Sequence, residues 1–78
     1  MAKISADSIR QSLDLFRSEK AHSQRFLQYI ERPDVSMWEG AGTEPMQDVT
    51  ADLIKEHRQR IERADRLIQF YEDQLKLG

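Results

Sequence analysis

The sequence predicts an all-α protein in which two long amphipathic helices form an antiparallel helical hairpin that completes a four-helix bundle by dimerisation. Three observations carry that expectation. Apolar residues recur with a 3-4 alternation in two long stretches, the signature of one buried helix face. Between the stretches lies a segment holding Pro33, Gly40, Gly42 and Pro45, residues that punctuate a backbone. Nowhere does the pattern alternate with the two-residue period of a strand.

The first helix is expected over about residues 5–31. Ser5 can cap it, because a serine hydroxyl accepts an amide of the first turn, and Asp7 suits the positive end of the helix dipole. Pro33 disfavours helical geometry at Arg32, which sets the end near Glu31. Ala6, Ile9, Leu13, Phe16, Leu27 and Ile30 mark the buried face. Carrying that register through the middle places Lys20 and Ser23 in the seam. Two readings stand: Lys20 lays its stem over the seam while Ser23 lets the helices approach, or the polar pair fixes register and oligomer state. A second stripe, Leu15, Glu19, His22, Phe26 and Tyr29, widens the apolar face beyond what one neighbouring helix covers.

Residues 33–48 form the connection, longer than the ~2 to 8 residues usual between bundle helices. Either it is a functional loop or the second helix starts early, near Thr43 with Pro45 in its first turn; the start is expected between Thr43 and Thr50. The second helix, about 49–77, has the more regular coiled-coil heptad: Ile54, His57, Ile61, Ala64, Ile68, Tyr71 and Leu75, flanked by Leu53 and Leu67. Glu56 with Arg60 and Glu62 with Arg66 are acid-to-base pairs four residues apart, each contributing ~0.3 to 0.5 kcal/mol.

With 78 residues there is room for one domain, 1–78, and a core of that size rarely supplies more than ~3 to 5 kcal/mol without reinforcement. There is no cysteine, so disulfides and thiolate metal sites are excluded. Pairing of two hairpins is the economical reinforcement. The oligomer seam is expected to use Ile9, Leu13, Phe16, Leu27 and Ile30 with Ile54, Ile61, Ile68, Tyr71 and Leu75. The alternative is a hairpin that completes its core on a different protein. A mean hydropathy of −0.75 and the lack of long apolar runs predict a soluble chain without membrane span or leader, in the cytoplasm.

Candidate chemistry is sparse. Glu19 and His22 have the spacing used in ferritin-like di-iron bundles, where two such pairs and two further carboxylates are needed. A two-fold dimer would duplicate the pair, and antiparallel pairing brings Glu62 to a similar height. A solvated polar layer is the preferred reading, so no metal or cofactor is expected. His57, in the second seam near the level of Phe26, reads as a core histidine with a satisfied nitrogen. No glycine-rich phosphate cradle and no nucleophile motif exists, and no catalytic residue is expected. Arg60 and Arg63 lie in a basic stretch, but 14 acidic residues against 12 basic ones and the interleaved acids argue against nucleic acid as a partner.

Met37, Trp38 and Met46 stand in a segment, 33–54, that holds Asp34, Glu39, Glu44, Asp48 and Asp52 and no lysine or arginine. Large apolar groups there either fold back over the bundle end or dock a partner, tryptophan being a frequent interface anchor and methionine an adaptable one. The expected function is that of a non-enzymatic protein-protein interaction module, a small homo-oligomeric adaptor or inhibitor of the bacterial or phage kind. Met37, Trp38, Met46, Arg60 and Arg63 are its candidate contacts with a protein partner. The alternatives are a nucleic-acid-associated helix and the carboxylate-histidine metal site.

Overall fold

The computed structural model describes residues 5–40, 42 and 45–77. Helix α1 spans Ala6–Ile30 and helix α2 spans Thr50–Leu77, packed antiparallel against each other. Between them strands β1, Trp38–Glu39, and β2, Gln47–Asp48, pair antiparallel into a two-stranded ribbon, with Trp38 opposite Asp48 and Glu39 opposite Gln47.

The first helix begins as its sequence dictates. The Ser5 hydroxyl accepts from the Ser8 amide at 3.1 Å, satisfying one of the amides that a helix start leaves without a partner. It ends one residue short of the expected position, with Glu31 as C-cap, ahead of Pro33. The second helix takes the latest start in its expected range. Pro45 lies outside it, ahead of β2, and Thr43, the earliest candidate, falls outside the described residues, as does Glu44.

What delays α2 is a hydrogen-bonded turn. The Asp48 carboxylate accepts from both the amide and the hydroxyl of Thr50, and the same hydroxyl accepts from the Met37 amide at 2.8 Å. These bonds hold the Asp48 carboxyl below the usual carboxylate range. Val49 donates its amide to the Met37 carbonyl at 2.9 Å, so the ribbon is stitched to the start of the helix. The strands are too short to show any alternation, and the connection that the sequence reads as irregular is this ribbon.

The core is small. Ile9, Leu13, Ser23 and Ile30 of α1 and His57 and Ala64 of α2 are the buried residues among those described. Three members of the expected oligomer seam, Ile9, Leu13 and Ile30, are therefore covered inside a single hairpin, because each helix turns its most regular apolar line onto the other. Phe16, Leu27, Ile54, Ile61, Ile68, Tyr71 and Leu75 remain partly exposed. No described helix is long and apolar enough to cross a membrane.

Candidate functional site

The polar seam positions resolve into two contacts. Ser23 and the His57 Nδ1 lie 3.2 Å apart, and the imidazole stacks on Phe26 with ring centroids 4.2 Å apart. His57 is thus a core histidine with a satisfied nitrogen. Burial, then the neighbouring Arg60, hold its pKa below the ordinary imidazole value. Lys20 runs its stem out of the seam to an ion pair with Asp65. Among the described residues no buried side-chain polar atom lacks a partner.

That Lys20 contact belongs to a series. Arg58 reaches Glu31 at 2.9 Å and Arg17 reaches Glu72 at 3.3 Å. Arg58, Asp65 and Glu72 are spaced by seven residues along α2, as are Arg17 and Glu31 by fourteen along α1, so they form one line on each helix. Three cross-helix ion pairs thereby run along one edge of the hairpin. Each is solvent-exposed in part and contributes little to stability; their joint effect is to cover that edge with charge.

A depression of 520 Å³ lies beside the Arg17–Glu72 pair on that edge, between Leu13 and Leu75, whereas the opposite edge is open in that it has no cross-helix ion pair among the described residues. A groove of 540 Å³ runs between the helices, lined by Phe16, Glu19, His22 and Ser23 of α1 and by Arg60, Arg63, Ala64 and Leu67 of α2, among others. The seven-residue spacing places Leu15 and Tyr29 in line with His22, Phe26 with Glu19, and Phe70 with Arg63. Leu15 is 55% exposed, Tyr29 53% and Phe70 50%. Aromatic packing backs this edge near the chain ends: Phe16 stacks on Tyr71 at 5.8 Å, and Tyr71 takes the edge of Phe70 at 5.2 Å. Of the second stripe read from the sequence, Phe26 packs on His57 of α2, while Leu15 and Tyr29 remain half exposed.

The ribbon is a separate surface. Residues directly opposite in an antiparallel pair share a face, and so do alternate residues along a strand; Trp38, Asp48, Gly40 and Met46 consequently lie on one side. Trp38 is 55% exposed and Met46 58%, so both present about half of their surface to solvent. The Trp38 indole Nε1 donates to the Ser36 Oγ at 3.1 Å, a local bond at the exposed surface. Gly40 leaves room for Met46, since a Cβ there would come within 2.7 Å of the methionine sulfur.

Compared with protein-family models, curated proteins and solved structures, the chain matches none. The surfaces must speak for themselves.

Glu19 and His22 do share the open groove, but Glu62 lines a different depression with Ala51, Ile54, Lys55, Arg58 and Gln59. Within one chain, no three His, Cys, Asp or Glu side chains among the described residues converge on a point that a metal ion could occupy. The reason is helical phase: Glu62 sits one position past the seam residue Ile61, on the outer side of α2. Arg60 and Arg63 both line the groove, Arg60 with its guanidinium on Glu56 at 2.8 Å. The matching pair expected between Glu62 and Arg66 does not form.

The contrast between the edges is the feature that seam reasoning missed. Its signal was present in the seven-residue spacing of Arg58, Asp65 and Glu72, but seeing that this line meets Arg17, Lys20 and Glu31 requires the helix register.

Proposed function

We propose that this protein is a non-enzymatic interaction module that works as a homodimer, two hairpins joining through their open edges into a four-helix bundle. The ribbon at the hairpin turn then carries Trp38 and Met46 to a protein partner. The observation that supports this most is the unequal treatment of the two edges. One is laced by ion pairs from Lys20, Arg17 and Arg58, whereas the other has no cross-helix ion pair among the described residues and leaves Leu15, Tyr29 and Phe70, in line with the groove residues His22 and Arg63, half exposed.

Magnitudes favour the same reading. The accessible surface is 6435 Å², against ~4,900 Å² expected for a compact chain of this mass. The excess of ~1,500 Å² exceeds the ~800 Å² per partner that a standard interface buries. The radius of gyration of 17.4 Å, against ~11.5 Å for a compact domain of this length, describes an elongated rod with a long side available for a second copy.

The cysteine-free composition and the absence of a membrane-crossing helix among the described residues fit a cytoplasmic adaptor or inhibitor. The ribbon supplies the docking chemistry: a half-exposed indole beside a flexible thioether, in a stretch whose charged residues are all acidic. Affinity capture with wild-type and Trp38→Ala protein, compared side by side, tests this role. A protein recovered with the wild type and lost with Trp38→Ala, at unchanged helix content, is the expected result; equal recovery by both contradicts it.

A further inference from the structure

We infer that the second copy docks on the open edge with its turn at the same end of the bundle, so that both Trp38 ribbons emerge side by side. This rests on the proposed dimer and specifies its geometry. Among the groove-lining residues the formal charges divide by helix, although Glu56, seven residues before Arg63, also lies along the α2 side of this edge. On α1 the groove holds Glu19; on α2 it holds Arg60 and Arg63. Arg60 is engaged with Glu56 of its own helix. Among the described residues Glu19 and Arg63 make no ion pair, so one acid on α1 and one base on α2 are left to face whatever covers the groove.

Two copies that present the same face to each other can be related by a two-fold axis along the helices or by one across them. An axis along the helices sets α1 of each copy on α2 of the other. Glu19 then faces the partner's basic line, and the contact is made twice. An axis across the helices sets α1 on α1 and α2 on α2, running in opposite directions. Glu19 is near the middle of α1, Ala6–Ile30, so the end-for-end flip brings it against the partner's Glu19, and the basic line of α2 against itself. Like charges buried together are costly, and opposite charges meeting in an interface set its register.

The apolar residues do not oppose this choice. They lie on both sides of the charged middle, Phe26 and Tyr29 toward the turn and Leu15, Leu67 and Phe70 toward the chain ends, so either axis brings apolar residues near apolar residues. One force acts against it, the repulsion between two acidic turns at the same end. Those carboxylates stay in water, where screening reduces their interaction beyond ~8 Å at physiological salt, while Glu19 and Arg63 would be desolvated between the copies. The interface charges therefore decide the orientation, and the dimer presents a bivalent ribbon surface to its partner.

The chain has no cysteine, so a single introduced one is a unique labelling site. Gln47→Cys, on the exposed ribbon, and Leu77→Cys, at the far end of α2, are each spin-labelled and the distance between the two copies is measured by pulsed dipolar spectroscopy. The inference expects both distances to fall within a bundle's width, roughly 20–30 Å for helices packed 8–10 Å apart. Distances beyond about 40 Å at both sites, more than the length of α1, would overturn it while leaving the dimer intact. Glu19→Gln gives an independent check: a dimer dissociation constant raised several-fold is expected, and one lowered contradicts the orientation. A monomer in native mass spectrometry at micromolar concentration would instead remove the dimer itself.

Discussion

At the scale of single residues, the pair Ser23 and His57 shows how a polar position enters a small core. The imidazole is buried, stacked on Phe26 and within hydrogen-bond distance of the Ser23 hydroxyl. Removing the hydroxyl leaves a buried ring nitrogen without a partner, so Ser23→Ala is expected to destabilise the fold by ~1–3 kcal/mol in urea denaturation. The same site sets a pH dependence. Burial disfavours a charged His57, Arg60 and His22 act with it and Glu56 against it, leaving the folded pKa below the unfolded value. Above about pH 6.5 the histidine is neutral in both states and stability is full. As the pH falls through that value the unfolded chain takes up the proton first, and stability is lost toward the lower folded pKa. Denaturation midpoints that drop between about pH 7 and 5 in wild type, and drop less in His57→Phe, are the expected result. The burial of His57 near Phe26 was legible from its place in the heptad. Its serine partner was not, because hydrogen bonding across a hairpin depends on a register that neither helix encodes alone.

The secondary elements differ in how openly the sequence declares them. Helix α1 carries a capping serine at its start and a proline just past its end, and Ser5→Ala is expected to cost ~1 kcal/mol in thermal unfolding. Helix α2 is announced by its heptad but not by its start, which depends on the contacts of Thr50 with Asp48 and Met37. Thr50→Val keeps the shape and removes the hydroxyl; faster amide hydrogen exchange at Met37 and Val49, with little change deep in α2, is predicted. Unchanged exchange at Met37 would mean that the ribbon is held by other contacts. Two strands of two residues each leave no periodic trace, and the glycines and prolines around them read equally well as loop. Met46 was visible as an apolar residue in an acidic stretch, but its placement over Gly40 follows only from the pairing of Trp38 with Asp48.

For the whole molecule, the decisive property is that two nearly identical helical edges have been given opposite surfaces. The apolar stripe of Leu15, Phe26 and Tyr29 was legible as an excess over what one helix can cover. Assigning the charged line of Arg58, Asp65 and Glu72 to the other edge needed the structure, since only the packed pair shows which flank of each helix meets which. A charge placed on an apolar residue of the open edge should cost the assembly and spare the hairpin: Phe70→Glu is expected to shift the protein to monomer in sedimentation velocity while retaining its helical circular dichroism. The most direct test is native mass spectrometry of the untagged wild-type protein at low micromolar concentration. A species of twice the 9.2 kDa chain mass is predicted, and a monomer that persists as concentration rises would contradict the proposal that the open edge is built for a second copy.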